Sequence, residues 1–410
     1  MAKQEKYIVG LDVGTSKICV VVGEIKSDDT IDVIGIGSSK SQGLRKGVVV
    51  SLDKTVEGIR KAVEEAELMA GIEIGKVFIG ISGHHIKGFN SRGVIGISAK
   101  QPEIFRDDIK RVIEAAHPAG MPTDSEIIHV LPQEYKVDDH DGIQDPIGMT
   151  GRRLEVNAHI VTGSSSAIQN VLAAVNRAGL NLAGKVLVQT ANAEAVLTKD
   201  EMEMGVALVD IGAGTTNIAI FERGSLWHTG VIPVGGYNFT NDIAIGLRTA
   251  IPEAEKVKKK YGCVLGSYIE EDAVLEIQGV GTPKARIVPQ QALVNILQPR
   301  SEELFQLVHQ EIRKAGYDSV INAGLVVTGG GALLTGMTEI AELEFDLPAR
   351  LGKPSGIGGL VDVVSSPAYA TAIGLIKFGK TESAILGRIP DGGMKRWYKR
   401  IKDFFLADYI

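Results

Sequence analysis

Two segments of the chain share one pattern of apolar and polar positions. Residues 7–23 form an apolar run that reaches Asp12, a Gly-Thr-Ser turn, and a second apolar run. Residues 205–221 repeat this order, with Asp210 at the end of the first run and glycines in the turn. Each pattern predicts two buried strands joined by a tight turn. An ordinary glycine hairpin would explain either segment alone, but the repeat predicts two similar halves that close on one ligand.

Both turns have the composition of phosphate-binding loops. Glycine permits positive φ and leaves no side chain between backbone and ligand, and successive N–H groups in such a turn form a concavity that binds anions. Asp12 and Asp210, at the strand ends, are placed to hold a hydrated Mg²⁺ against the phosphate. The turn residues predicted to contact phosphate are Gly14, Thr15, Ser16 and Lys17 in the first half and Gly212, Gly214, Thr215 and Thr216 in the second.

Two more glycine segments of the second half suit a nucleotide site. The strand predicted from Leu325 enters three glycines, and bare backbone there would let a nucleoside lie flat against the chain. In the other segment two glycines precede a helix that Thr240 or Asn241 is predicted to cap. The predicted contacts in these segments are Gly235, Gly236, Gly329, Gly330, Gly331 and Ala332.

The rest of the chain alternates helical and strand patterns. Helices are predicted at 51–70, 106–116, 164–178, 191–197, 242–246, 254–261 and 298–313, and strands at 31–37, 77–82 and 186–189. Residues 366–378 are expected to complete the core. Prolines recur between residues 83 and 161, where short strands surround one helix, and this predicts a small inserted α/β subdomain. The polar segment 379–392, which contains Pro390 and several glycines, predicts a linker.

The last segment combines apolar and basic positions at helical spacing. Its apolar positions share one helix face and are Met394, Trp397, Tyr398, Ile401, Phe404 and Phe405. The basic positions on the opposite side are Lys395, Arg396, Lys399 and Arg400. Such a helix suits the plane of an anionic membrane, where partial burial gives a weak, reversible anchor. The alternative, a terminal helix docked on the protein's own core, is disfavoured by the linker before it.

Composition narrows the classes of protein that fit. The chain has 410 residues, 23% of them charged and 44% hydrophobic, which is ordinary for a globular protein. Its net charge of −6 argues against nucleic-acid binding, and its two cysteines give no disulfide framework. With neither a secretory signal nor an apolar run long enough to span a bilayer, we expect a cytoplasmic protein. His84 and His85 lack a second ligand pair and are interpreted as turn residues.

The ordered set of hairpins and glycine segments resembles the actin, Hsp70 and sugar-kinase ATPase superfamily. Within it, three motifs, at 82–86, 131–138 and 145–155, make the chain similar to the bacterial cell-division family FtsA over essentially its whole length. The resemblance implies an α/β, two-lobed actin-like ATPase fold with duplicated β-sheet/helix domains, a small inserted α/β subdomain and a C-terminal amphipathic helix. The implied parts are a first core subdomain (1–82 and 162–200), the insertion (83–161), a second core subdomain (201–241 and 321–378), a small subdomain over it (242–320), the linker (379–392) and the membrane-targeting helix (393–410).

The resemblance also implies ATP and Mg²⁺ as ligands. It places Glu255 and Lys258 beside the nucleoside, although the basic run around Lys258 also fits a solvated helix face. It assigns Gln189 to the position that orients the attacking water. A glutamine is a poor base, so turnover is expected to be slow or absent. Ala213 and Asn217 depart from the family pattern of Gly and Asp, which puts Mg²⁺ organisation and catalysis in doubt more than binding.

The partners implied by the resemblance are those of a membrane tether at the division site. They are the tubulin-like protein FtsZ, other copies of the chain in an actin-like filament, later division proteins bound through the insertion, and anionic lipid at the cytoplasmic face of the inner membrane at mid-cell. Arg286 and Arg300 match positions associated with the acidic FtsZ tail, to which arginine's planar donors are suited; the alternative is an exposed surface arginine.

Two other classes fit less well. A sugar kinase needs a catalytic carboxylate facing a substrate pocket, and the sequence nominates none. An Hsp70-type chaperone is expected to carry a β-rich peptide-binding domain, for which 410 residues leave no room. The pilus protein PilM shares the core but is not expected to carry the amphipathic helix.

Overall fold

The computed structural model describes residues 6–118, 120–279 and 285–388, with side chains as far as residue 381. The strands are β1 (Tyr7–Val13), β2 (Lys17–Ile25), β3 (Ile31–Lys40), β4 (Leu44–Arg45), β5 (Val48–Val49), β6 (Lys76–Ile81), β7 (Lys87–Gly96), β8 (Ser125–Val137), β9 (His140–Ile143), β10 (Arg153–Ser164), β11 (Asn181–Leu187), β12 (Val206–Ile211), β13 (Thr216–Glu222), β14 (Ser225–Ile232), β15 (Val274–Gln278), β16 (Ala285–Pro289), β17 (Leu325–Thr328), β18 (Ala349–Leu351) and β19 (Gly358–Gly359). The helices are α1 (Leu52–Ala70), α2 (Arg106–Ala115), α3 (Ser165–Arg177), α4 (Val188–Val196), α5 (Lys199–Met204), α6 (Gly236–Gly246), α7 (Ile251–Tyr261), α8 (Gln290–Ala315), α9 (Met337–Phe345), α10 (Val361–Val364) and α11 (Ala370–Arg388).

Two core sheets repeat one arrangement. The first has the order β11-β6-β1-β2-β3-β19 and the second β14-β13-β12-β17-β18. In each, the hairpin is antiparallel, and its first strand pairs in parallel with a strand that follows later in the chain. The register also repeats, because Asp12 lies opposite Cys19 and Asp210 lies opposite Asn217. The predicted duplication is confirmed.

Helices cover the core sheets as the apolar periodicity predicts. In α1 the buried positions include Val56, Ile59 and Val63, which recur at helical spacing. The helix ends where Gly71 adopts the left-handed conformation, at φ 67°, and donates its N–H to Glu67. Helix α11 packs across α4 and β1, so the two chain segments that connect the halves lie against each other.

The insertion is a four-stranded sheet, in the order β7-β10-β8-β9, with α2 on one face. Its strands β7 and β8 also contact β14 of the second core. At this contact His159 is buried between two hydrogen-bonding partners, with Nδ1 2.6 Å from Asn90 Oδ1 and Nε2 2.9 Å from Thr229 Oγ1. The amide of Gln133 donates to the Leu226 carbonyl at 3.1 Å. The predicted α/β insertion is therefore present and is joined to the second half by buried polar contacts.

Several predicted element boundaries are wrong. Helix α6 begins at Gly236 rather than near Thr240, because the extended backbone of Gly235 forms the N-cap and its N–H donates to Asn238 Oδ1. Helix α8 begins at residue 290, eight positions before the prediction, and carries Pro299 inside it. Strand β11 ends at Leu187, so the segment predicted as its last two residues is the first turn of α4.

The predicted linker is also wrong in its first part. Helix α11 continues through residues 379–388, since the first proline after its start is Pro390 and nothing earlier removes a backbone donor. Residues 389–392 and the predicted membrane helix 393–410 lie outside the described residues. Among the helices that the structure describes, none has the length and apolar content required to cross a membrane.

Candidate functional site

The turns of the two hairpins have the same backbone geometry. The Gly14 N–H donates to the Lys17 carbonyl at 3.0 Å, and the Gly212 N–H donates to the Thr215 carbonyl at 2.9 Å. A β-carbon at Gly14 would lie 2.7 Å from the Lys17 carbonyl oxygen, and one at Gly212 would lie 2.9 Å from the Thr215 carbonyl oxygen, which is closer than a β-carbon can approach. Glycine is therefore required at both positions, as the sequence predicts.

Both turns open into one cavity of about 460 Å³ between the two halves. Tyr237, which lines the cavity, donates its hydroxyl to the Thr15 carbonyl of the other half at 3.4 Å. The predicted residues that line the cavity are Asp12, Gly14, Thr15, Ser16, Lys17, Asp210, Gly212, Gly214, Thr215, Gly236, Glu255, Lys258, Gly329, Gly330 and Gly331. The structure thus brings together residues from both hairpins and both later glycine segments.

The two strand-end aspartates face this cavity in an environment that disfavours their charge. Burial raises the pKa of Asp12 to about 6; the Lys17 charge lowers it, and Asp210 adds to the rise. Burial also raises the pKa of Asp210, against hydrogen bonding by Asn217 and Asn192. The amide of Asn217 donates to Asp210 Oδ2 at 2.9 Å. Two carboxylates that repel each other across a cavity are suited to a cation between them.

The orphaned oxygen of Asn217 supports this fit to a hydrated Mg²⁺. The Oδ1 atom is buried and has no hydrogen-bond partner among the described residues. Oxygen donors of this kind are what Mg²⁺ prefers, either directly or through its bound water. Asp12, Asp210 and Asn217 would hold the ion, whose charge would favour the ionised form of both aspartates.

Lys258 and Glu255 form a linked pair on the second-half wall. The Lys258 ammonium lies 2.7 Å from Glu255 Oε2 and donates to the Gly236 carbonyl at 2.9 Å and to Thr240 Oγ1 at 2.7 Å. Burial lowers the pKa of Lys258, against the pull of Glu255. Burial would raise the pKa of Glu255, but hydrogen bonds from Lys258 and Thr240 produce a net lowering. The ammonium is thus anchored at the cavity wall, and the solvated-face interpretation is wrong for this lysine.

The triple glycine forms another part of the wall. Gly329 has φ 86°, and a β-carbon there would contact the Asp210 carboxylate. A β-carbon at Gly330 would meet nothing within 4 Å, so this residue presents bare backbone to open space. The arrangement fits a flat group lying against the chain at Gly330.

Four predicted residues do not line the cavity. Thr216 is fully buried and donates to the Val234 carbonyl at 2.9 Å. A β-carbon at Gly235 would lie 2.6 Å from the Gly212 carbonyl, so Gly235 packs behind the turn. Ala332 is in the core of the second half. Gln189, only 1% exposed, lies in the first turn of α4. The water-positioning role of Gln189 remains a prediction.

Several lining residues are not among the site residues that the sequence predicts. They are Ser82, Val188, Ala213, Asn217, Tyr237, Lys259, Lys260, Gly262, Leu333, Leu334, Thr335, Pro367, Ala368 and Thr371. Thr371 donates to Asn192 Oδ1 at 2.9 Å, which connects α11 to the linking helix α4. The sequence signal that could have identified some of them is their position in the chain, since Ser82 follows a strand end and residues 367–371 begin a helix.

The predicted partner-binding arginines differ in their surroundings. Arg286 is exposed on β16. Arg300 is half-buried and forms a two-bond ion pair with Asp242, with Nε 2.6 Å from Oδ2 and the second bond at 3.2 Å, and it also contacts Glu303. The alternative interpretation, an exposed surface arginine, therefore does not describe Arg300. All ten predicted membrane residues, from Met394 to Phe405, lie outside the described residues.

The histidine pair shows the predicted turn geometry. His84 and His85 lie in a turn after β6, and the Ser164 N–H donates to His85 Nδ1 at 3.3 Å. Over the described ranges, no three histidine, cysteine, aspartate or glutamate side chains gather as a metal-binding group.

Comparison with known proteins assigns the chain to a family. The model "Cell division protein FtsA" matches residues 207–374, and "SHS2 domain inserted in FTSA" matches residues 83–162. The chain is 45% identical to cell division protein FtsA of Pseudomonas aeruginosa, over 91% of this chain and 89% of that protein. It is 36% identical to FtsA of Escherichia coli K12 over 100% of this chain and 99% of that protein.

Solved structures give the same fold at lower identity. A chain of the PilM-PilN type IV pilus biogenesis complex aligns with a TM-score of 0.67 at 16% identity, covering 92% of this chain and 99% of that one. MreB5 of Spiroplasma citri bound to ADP aligns with a TM-score of 0.59 at 15% identity, covering 94% and 100%. The fold is therefore that of the actin-like ATPases. Within that class, the chain belongs to the FtsA family of cell division proteins.

Proposed function

We propose that the chain is an ATP-binding, filament-forming membrane anchor that tethers FtsZ to the cytoplasmic membrane and recruits later division proteins. The observation that carries this proposal is the convergence of both glycine turns, two aspartates and Gly330 on one cavity between the halves. ATP with Mg²⁺ is the proposed ligand. The phosphates lie at the paired turns, and the nucleoside lies between Gly330 and the Lys258–Glu255 pair.

Hydrolysis by this site is slow or absent in the proposed mechanism. When bound, Mg²⁺ supplies charge neutralisation at the phosphates. The residues of the chain would orient and bind the ligand: Lys17 would offer an ammonium, Asp12 and Asp210 would hold the hydrated ion, and Asn217 donates a hydrogen bond that fixes Asp210 in place. The two carboxylates of this set are committed to the ion, and an amide such as Gln189 orients water without accepting its proton. ATP therefore acts mainly as a ligand that favours assembly.

The partner surfaces of the proposal lie outside the cavity. The acidic FtsZ tail binds near Arg286 and Arg300, where it replaces or extends the carboxylate contact that Asp242 makes with Arg300. Later division proteins bind the insertion, and other subunits bind end to end. The segment 393–410 lies on anionic lipid, so the protein is peripheral at the cytoplasmic face of the division site.

Electron microscopy of the protein on lipid monolayers, with and without ATP and Mg²⁺, tests this function. We expect ordered filaments on anionic lipid with ATP and few without it. A matched sample of the deletion variant lacking residues 393–410 should leave the lipid bare. Isolated particles under all conditions, or filaments indifferent to both lipid and ATP, would overturn the proposal.

A further inference from the structure

The ammonium of Lys17 is held in place by a segment far away in the sequence. Its Nζ atom donates to the Ala368 carbonyl at 3.0 Å, across a separation of 351 positions. The same atom lies 3.5 Å from the centroid of the Tyr369 ring. Two groups of the turn before α11 therefore fix the end of a side chain that begins on β2.

Both contacts favour a localised ammonium. The face of an aromatic ring is negative and attracts a cation, more strongly when the pair is partly removed from water. The carbonyl takes one of the three lysine donors and leaves the other two available. A lysine stem is otherwise flexible, and holding it beforehand reduces the ordering cost of binding an anion.

The position of Tyr369 separates its role from that of Lys17. Lys17, Pro367 and Ala368 line the cavity, whereas Tyr369 is not among its lining residues. The Tyr369 ring is half-buried and packs against the core of the first half. It therefore lies behind the wall and reaches the cavity only through the lysine that it supports.

We infer that Tyr369 is a positioning residue, which holds the Lys17 ammonium at the phosphate end of the cavity. The inference rests on the proposed nucleotide function of the same site. Tyr369 makes no contact with nucleotide; its ring, together with the Ala368 carbonyl, presets the ammonium for a phosphate oxygen. The Lys17 charge also acts on Asp12, so the ring helps to fix the cation that balances this carboxylate.

Calorimetric titration of ATP with Mg²⁺ into full-length variants tests the inference. Tyr369→Leu removes the ring and should weaken ATP binding about tenfold, the range of a partly desolvated cation–ring contact. Tyr369→Phe keeps the ring and should bind ATP within about twofold of the parent. Tyr7→Leu is the matched control, because Lys6 Nζ lies 5.4 Å from the Tyr7 ring on the surface of the same half, and it should bind like the parent.

A double-mutant cycle shows whether Tyr369 acts through Lys17. Once Lys17→Met has weakened binding, adding Tyr369→Leu should cause no further loss. Independent, additive losses would overturn the inference, as would parental affinity in Tyr369→Leu. If the leucine variant does not fold, Tyr369→Met, with an unbranched side chain, takes its place in the cycle. Absence of ATP binding by the parent protein would instead overturn the proposed function, and the inference with it.

Discussion

Gln189 carries a buried amide whose polar atoms are unpaired. Neither its Oε1 nor its Nε2 has a hydrogen-bond partner among the described residues, although the side chain is almost fully enclosed. Leaving such a group buried and unpaired costs roughly 1–3 kcal/mol. A cost of this kind is typical of functional sites, where a polar group waits for a ligand or a water molecule.

We predict that Gln189→Met stabilises the nucleotide-free protein by about 1 kcal/mol, because it removes an unpaired amide while keeping the volume. Urea unfolding without ATP measures this change. Gln133→Met is the matched control. Its buried amide donates to the Leu226 and Trp227 carbonyls, so this variant should lose about 1–3 kcal/mol. Equal destabilisation of both variants would show that the Gln189 amide is satisfied.

The same residue allows the water-positioning hypothesis to be tested separately. If Gln189 orients the attacking water, the methionine variant should bind ATP as the parent does and hydrolyse it more slowly still. Single-turnover measurements resolve this even when steady-state turnover is low. An unchanged hydrolysis rate would remove Gln189 from the mechanism.

At the scale of elements, the sequence predicts the hairpins well and several helix ends poorly. The strand pairs are local and buried on both faces, so apolar runs around Asp12 and Asp210 suffice. Helix α8 is harder, because Pro299 suggests an end, yet Leu293 and Leu297 keep the earlier turns packed on the core. The glycine of the α6 N-cap resembles the other loop glycines, and only its packing behind the phosphate turn distinguishes it.

The residues of the candidate site divide in the same way, into those that a local sequence pattern predicts and those placed only by packing between distant segments. Turn residues and strand-end carboxylates have local signatures, so the sequence alone predicts most of them. Thr371 and Ala368 have no local signature, because their place depends on α11 crossing β1 and α4. The pairing of Lys17 with Tyr369 likewise exists only after the chain has folded.

The contact between β10 and β14 contains a buried histidine, His159, from which we predict how acid changes the stability of the protein. Burial, with the neighbouring His228 charge, lowers the pKa of His159 to about 3, and the ring faces Asn90 and Thr229. At His159 the unfolded chain takes up a proton below about pH 6.5, whereas the folded state does not. The contribution of the neutral ring to the free energy of unfolding is therefore fully present above pH 6.5 and is lost as the pH falls. Between pH 7 and pH 5, His159 should lower the free energy of unfolding by about 2 kcal/mol.

Urea unfolding of the parent and His159→Gln at both pH values measures this contribution. Asp12 changes stability in the opposite direction, since its raised pKa makes stability fall as pH rises toward 6, but it is common to both proteins. Trp227 of β14 reports the contact by fluorescence when Trp397, the second tryptophan, is replaced by phenylalanine in both. Equal pH dependence in the two proteins would exclude His159 as the sensitive group.

At the scale of the whole molecule, the proposal combines a two-part cleft with a weak anchor. Each large apolar side chain of segment 393–410 contributes at most about 1.5–3 kcal/mol on full burial, and ordering a short helix offsets much of it. One subunit should therefore hold lipid only briefly. If subunits assemble in the proposed filament, their anchors would act together, and attachment would become firm without any new contact.

We predict that membrane attachment depends on self-association. Vesicle co-sedimentation of the parent should rise steeply with protein concentration and with ATP, whereas an assembly-defective variant should bind weakly at every concentration. The deletion variant lacking 393–410 should not bind at all. An assembly-defective variant that binds vesicles as tightly as the parent would contradict the coupling.

The insertion leaves and rejoins the first half through neighbouring strands, since Lys87 of β7 lies opposite Thr162 of β10. A chain that departs and returns at one place can gain or lose material there without altering the sheet that carries the first phosphate turn. Sequence variation could therefore accumulate in this module over evolution while the cleft stays constant. Any such exchange would have to preserve the polar contact with β14, where a β-carbon at Gly88 would clash with Thr229 and His159.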